Sequence, residues 1–210
     1  MRKIKVIDIA IIASLTAILF VQEQLLSFLP NIQLTIFLIV LYSKKLGLIR
    51  ALLITIIHVL LDNLVVGSFA LLYTPTMLIS LSLIPILICT IFKKIEKTIL
   101  LGLLGILFSL IYSWSFIIPN VIAYNMNPLA YFIADIPWEI ILAASSFVSI
   151  WLLFNPCAKV IDIIYNDKKS SEIWTLFSTY LIKSNNNATP NNYVNNLHAH
   201  HKKYQLNDLA

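Results

Sequence analysis

Charge is scarce in this sequence. Asp, Glu, Lys and Arg make up 12% of its 210 residues, where a soluble domain carries roughly a quarter. That is too little to cover a water-facing surface. Hydrophobic residues supply 59% and mean hydropathy is +0.85, so the bilayer is the expected solvent for most of the chain. Glycine is rare as well, at 4 residues, which argues against loops that cradle phosphate. There is no Walker lysine in a glycine-rich loop, no HExxH and no GxSxG. Any ATP-driven work would need a partner, and catalysis finds little support: no enzyme activity and no cofactor are expected. Cysteine is limited to Cys89 and Cys157, expected as free thiols without a disulfide framework or metal-ligand spacing.

What charge there is carries information through its position. The net charge of +5 would suit a nucleic-acid partner, but the basic residues stand in short clusters between apolar runs and read as membrane anchors. Crossing the hydrocarbon core takes about 20 apolar residues. The first run, Ile4 to Leu29, is longer than needed and is broken by Pro30-Asn31. It is too long for a signal peptide and lacks a small-residue cleavage site, so it is expected to be retained. A second run, Ile32 to Tyr42, is short and cannot span unless its polar flanks lie in protein; Lys44, Lys45 and Gly47 end it. The third is Leu48 to Val66, followed by a Gly67-Ser68 turn. The fourth is about Leu71 to Phe92, with Pro85 as an expected kink. The fifth is Ile99 to Ile118, closed by Pro119-Asn120. The sixth is about Ala130 to Phe154, ended by Asn155-Pro156.

Six alternating spans put every basic cluster on one side: Arg2, Lys3 and Lys5; Lys44, Lys45 and Arg50; Lys93, Lys94 and Lys97; Lys159, Lys168 and Lys169. The opposite loops hold no Lys or Arg. The positive-inside rule makes the basic side cytoplasmic. The expected fold is therefore an all-α membrane protein with six transmembrane helices, both termini cytoplasmic, multi-pass in a prokaryotic-type plasma membrane. Residues 1–160 form the transmembrane domain. Residues 161–210 form a cytoplasmic tail, with a short amphipathic helix over Glu172 to Ile182 and disorder beyond Lys183. His198, His200 and His201 read as part of that solvated tail, and no metal site is expected. Asn187-Ala188-Thr189 matches a glycosylation acceptor, but Pro190 and the cytoplasmic side argue against its use. There is no internal repeat.

Two sets of residues call for explanation. Ala10, Ala13, Ser14 and Ala17 give the first helix a face of small side chains, which lets helix backbones approach closely in lipid. The neighbour is either another helix of this chain or another subunit. The second set is polar and clusters toward the outer helix ends: Gln22, Glu23 and Gln24; Asn31, Gln33 and Thr35; Asp62 and Asn63; Tyr73, Thr74 and Thr76; Tyr112, Trp114 and Asn120; Asp135, Trp138 and Glu139. Ionisable groups at membrane depth are costly and are candidates for function. Their shared depth suggests one outward pocket with aromatic walls, with Glu23, Asn31, Gln33, Tyr73, Trp114, Asn120, Trp138 and Glu139 as ligand contacts. Ordinary interfacial decoration is the competing account, and Asp135 reads as a cap for the helix containing Pro137. His58 and Asp62, four apart, share a helix face and read as a buried hydrogen-bonded pair, with a proton relay or half a metal site as the sharper alternatives.

In order and spacing these features resemble the substrate-binding subunit, or S component, of an energy-coupling factor (ECF) transporter. The resemblance covers about residues 4 to 160. It rests on the six-helix pattern and on the first helix, Asp8-Ile-Ala10-Ile-Ile-Ala13-Ser-Leu-Thr-Ala17, similar to the family's alanine-containing docking helix. It rests also on Leu29-Pro30-Asn31-Ile32-Gln33-Leu34-Thr35, on Leu61-Asp62-Asn63 to Gly67, and on Ala134-Asp135-Ile136-Pro137-Trp138-Glu139. The resemblance implies capture of a vitamin or related micronutrient from outside. It implies docking through Ala13 and Ala17 on a membrane coupling subunit with two cytoplasmic ATPases, and ligand release by toppling in the bilayer. The tail of residues 161–210 is longer than the family leads one to expect. The alternatives are a membrane-embedded lipid-modifying enzyme using His58, Asp62, Asp135 and Glu139, and a small stand-alone secondary carrier, which the lack of an inverted repeat disfavours. The substrate is not legible. Trp114, Trp138 and Tyr73 suit a flat heteroaromatic ring, and the lack of outer Lys or Arg disfavours a strongly anionic ligand.

Overall fold

A computed structural model describes the backbone of residues 6–66 and 72–184 and the side chains of residues 8–65 and 72–164. Every element among the described residues is helical: α1 Val6–Leu26, α2 Thr35–Leu46, α3 Leu48–Val66, α4 Tyr73–Cys89, α5 Thr98–Ser115, α6 Ile117–Tyr124 and α7 Pro128–Ser184. The chain divides into two compact units, Met1–Lys159 and Val160–Ala210. In the second unit the backbone is helical to Ser184. The expected amphipathic helix over 172–182 is therefore part of α7 rather than a separate short element. Its side chains lie outside the described residues, as do Arg2, Lys3 and Lys5, the Gly67-Ser68 turn, the glycosylation motif and the histidines beyond residue 197.

Four stretches are long and apolar enough to cross a membrane: Asp8–Leu26, Leu48–Val65, Thr98–Tyr124 and Pro128–Ile164; α4 is apolar but has 17 residues. The distribution of side chains explains why. Ile9, Leu64, Ile79, Ile118 and Ile140 each expose more than half of their surface, whereas small hydroxyls are buried. Those hydroxyls turn back on their own helix: Thr16, Ser43, Thr55 and Ser109 donate to the carbonyls of Ile12, Ile39, Ala51 and Gly105 at 2.6–2.9 Å. A polar group so satisfied costs little in an apolar medium, and an apolar exterior is stable only where lipid covers it.

The short second run becomes the centre of the bundle. At 1.5 Å per residue, the 12 residues of α2 reach about 18 Å, too short for a bilayer core of about 30 Å. Its neighbours α1, α3, α4 and α5 surround it instead, and ten of its residues are buried on all faces, from Thr35 to Ser43 together with Leu46. A helix enclosed by its neighbours need not match a membrane's thickness. Lys44 and Lys45 fall inside its last turn rather than ending it; Gly47, at φ +82°, does that.

Prolines mark boundaries less well than expected. The first run already turns at Ser27, where Leu29 N donates to Leu26 O at 2.8 Å, before Pro30. Pro119-Asn120 does not close the fifth run. The break falls at Phe116, and Pro119 sits in the first turn of α6, where its missing N–H costs nothing. Asn155-Pro156 does not end α7 either, because the Asn155 side chain is drawn into a tertiary contact, accepting from Thr98 Oγ1 at 3.3 Å, and Pro156 forfeits a single helical bond. The start of α7 is capped by Asn127, whose Oδ1 accepts from Leu129 N at 2.9 Å and Ala130 N at 3.3 Å, with Pro128 at the first helical position. Asp135 lies inside that helix and caps nothing.

Tertiary bonds define two ends within the first unit. At the basic end, Lys44 Nζ donates to Phe92 O, Lys93 O and Ile95 O at 2.8, 3.2 and 2.6 Å, tying the end of α2 to the α4–α5 connection. There too Arg50 Nε meets Asp8 Oδ1 at 3.1 Å. At the other end, α1 joins α2 and α3, α3 joins α4, and α5 and α6 join α7 and α4.

Candidate functional site

The end opposite the lysines is acidic. Glu23, Asp62, Asp135 and Glu139 all stand there, and no Lys or Arg occurs in the segments that form it, residues 22–35, 58–66, 72–77 and 112–139. The side chains fall into two groups, joined by α5.

The first group gathers the last turn of α1, the first of α2 and the outer half of α3. Gln22 locks α1 to α2, its Nε2 donating to Thr35 Oγ1 at 2.9 Å and its Oε1 accepting from Leu34 N at 3.0 Å. Thr35 Oγ1 in turn donates to Glu23 Oε2 at 3.4 Å. Gln24 Nε2 donates to Asp62 Oδ1 at 3.1 Å. His58 does not pair with Asp62 through a hydrogen bond. Its ring is fully buried and its Nε2 lies 2.9 Å from Glu23 Oε2. Close as that approach is, neither ring nitrogen has a hydrogen-bond partner of good geometry. Tyr112 on α5 stands within electrostatic range of both Glu23 and Asp62.

The second group is built on α5, α6 and α7. Ser113 Oγ donates to Asp135 Oδ2 at 2.8 Å and approaches Glu139 Oε1 at 3.4 Å. Positions 135 and 139, one turn apart, project from one face of α7, so a single hydroxyl serves both carboxyls. Glu139 is 6% exposed. Tyr73 OH donates to Asn120 Oδ1 at 2.7 Å, and Asn120 Nδ2 donates to Tyr131 OH at 3.1 Å, so α4, α6 and α7 meet through one amide. Tyr73 and Tyr112 both pack on Phe116, at ring separations of 6.2 and 5.1 Å. Asn31, in the left-handed region at φ +57°, reaches α7 and donates to Trp138 O at 3.1 Å.

Of the residues singled out in the sequence, Glu23, Tyr73, Asn120 and Glu139 carry side-chain contacts in these groups. Asn31 binds the backbone of Trp138, and Gln33 contributes its carbonyl to Ser145 at 3.3 Å. The Trp114 ring packs on Phe132 at 5.9 Å. Trp114 and Trp138 are each 44% exposed. Sequence reasoning passed over Ser113 and Tyr131. The helical spacing of Ser113 from Ser109, and of Tyr131 from Asp135, is the signal that could have found them. Among the described residues nothing covers the small face of α1: Ala10, Ala13, Ser14 and Ala17 are exposed while Ile11, Ile12, Thr16 and Leu19 pack inward.

Away from the acidic end, a cavity of about 630 Å³ opens at the basic end between Ser43, Lys44, Gly47, Cys89, Lys93 and Phe154. A shallower apolar groove of about 460 Å³ runs along α7 at Ile140, Ala144 and Val148. Neither is lined by the acidic cluster. Compared with known proteins, the chain matches no family model, no curated sequence and no solved structure.

Proposed function

We propose that this chain is the substrate-binding membrane subunit of an ECF-type importer, spanning the bilayer six times with the acidic end outside. It would capture a vitamin-like micronutrient and pass it to a coupling subunit driven by two ATPases. The observation that carries the reading is the outward face of α1. A helix that packs Ile11, Ile12 and Leu19 inward leaves its small side chains facing out, the arrangement that suits close approach by a helix of another protein in lipid. The polar, aromatic cluster at the acidic end supplies a place for ligand, and the absence of an ATPase motif leaves energy supply to a partner.

The lipid-modifying alternative needs His58, Asp62, Asp135 and Glu139 to act on one substrate. Their bonds run to different partners: Asp62 to Gln24, and Asp135 and Glu139 to Ser113. That division favours binding over acid–base chemistry.

Native mass spectrometry of the full chain, purified in mild detergent from its own cells, tests the proposal. The expected spectrum shows a retained molecule of vitamin-like mass, together with coupling subunit and ATPases. Ala13→Trp and Ala17→Trp, on the exposed face, should strip the partner subunits while the small molecule stays. Partners absent from the unsubstituted protein, or retained undiminished by both variants, would overturn the reading.

A further inference from the structure

The acidic end carries four carboxyls and no Lys or Arg in the segments that form it; the one basic side chain beside them is His58, whose Nε2 lies 2.9 Å from Glu23. Among the described residues, Glu23, Asp62, Asp135 and Glu139 receive hydrogen bonds from neutral donors: Thr35, Gln24, Ser113 and Trp114. Lys44 and Arg50 are committed at the other end, to backbone carbonyls and to Asp8. Between Glu23 and Asp62 lies His58, with no exposed surface and no hydrogen-bond partner on either ring nitrogen. A buried, unsatisfied imidazole beside a carboxylate is costly in an apolar surrounding, and carboxylates near membrane depth are costly unless a positive charge joins them. Among the described residues no three His, Cys, Asp or Glu side chains are grouped to hold one metal ion, so the missing charge is better supplied by an organic cation. Tyr112, in electrostatic range of both Glu23 and Asp62 and packed edge-on to Phe116, adds an aromatic surface of the kind that attracts cations.

We infer that the Glu23–His58–Asp62 cluster is the recognition site for a positively charged organic ligand, a protonated amine or a cationic heteroaromatic ring. This rests on the capture reading above and specifies its substrate class. Glu23 and Asp62 supply the counter-charge, and His58, whose ring nitrogens have no hydrogen-bond partner, offers a polar group to the ligand beside them. The neutral or anionic forms of the same ring lack the charge that offsets two carboxylates.

One ring in three charge states tests this. The full chain in detergent is titrated with 1-methylnicotinamide, a cation; with nicotinamide, which is neutral; and with nicotinate, an anion. The cation should bind about tenfold more tightly than the neutral ring, the scale of one desolvated charge contact, and the anion weakest. In Glu23→Gln and in Asp62→Asn the ratio of cation to neutral ring should collapse toward unity. Taking that ratio within each variant separates lost charge recognition from lost fold. A flat or reversed order, no binding of the cation, or an unchanged ratio in both variants overturns the inference, and the carboxylates are then neutralised by protons alone. A copurified ligand that proves neutral or anionic overturns it too while leaving the capture reading intact. That reading fails separately, through the absence of partner subunits.

Discussion

At the scale of the residue, the close contacts are made by the smallest side chains. A Cβ on Gly105 would lie 2.5 Å from Ile150 Cδ1 and 3.5 Å from Ser146 O, and one on Gly102 would lie 2.9 Å from Phe147 Cδ2. Together with the bond between Ser109 Oγ and Ser146 Oγ at 2.8 Å, these residues form the seam between α5 and α7. Gly105→Leu should destabilise the protein by about 1–3 kcal/mol through overpacking. Gly105→Ala should cost less, because the Ile150 methyl at the end of its side chain can rotate away. Thermal unfolding in one detergent compares the two. Ser113→Ala makes a different kind of change: it removes the one side-chain donor that serves both Asp135 and Glu139. Leaving those acceptors without it should cost about 1–3 kcal/mol, and the loss should shrink in the double variant with Asp135→Asn, whose amide can donate to Glu139. A full, undiminished loss in the double variant would show that Ser113 acts through packing alone. Neither partnership was legible in the sequence. Asp135 reads locally as a cap because it precedes Pro137, and only the arrival of α5 gives it a hydroxyl to accept from.

At the scale of the element, α2 and α4 show how position overrides composition. Both are apolar, yet Phe37 on α2 is 2% exposed and Ile79 on α4 is 64% exposed. In a bilayer the unfolded helices already lie in an apolar medium, so truncation forfeits packing contacts and leaves a cavity, with little transfer energy added. Phe37→Ala should therefore cost about 2 kcal/mol, the cavity share of a large core deletion. Ile79→Ala should stay within about 0.5 kcal/mol. Reversible unfolding in mixed micelles would measure both. Equal losses would mean that α2 is not the packed centre in the folded protein. The shortness of α2 was evident from the sequence, as was its need for polar flanks held in protein. Which helices enclose it was not, since an apolar run carries no mark of whether lipid or protein will face it. Helix ends were read less well. Proline signals a boundary where it removes a needed bond, and Pro119 and Pro156 each remove one the structure can spare.

At the scale of the whole molecule, two chemically opposite ends sit on an apolar body: lysines and Arg50 at one, four carboxylates at the other. The positive-inside rule turns that polarity into an orientation. In intact cells a membrane-impermeant maleimide should label a cysteine placed at Asn127 and leave one placed at Lys94 untouched until the cells are opened. The reverse pattern would turn the molecule over and remove the acidic cluster from any role in capture outside. The composition and the spacing of charge determined by themselves that this is a helical protein with helices long and apolar enough to cross a membrane, and they sorted basic from acidic ends. Both follow from each segment's own need to match its medium, a property local to the chain. Tertiary structure alone decided that α2 is enclosed, that the small face of α1 is left open, and that His58 meets Glu23 rather than bonding to Asp62. Those outcomes depend on which helices pack together, and packing in an apolar medium turns on shape and hydrogen-bond partners drawn from residues far apart in sequence.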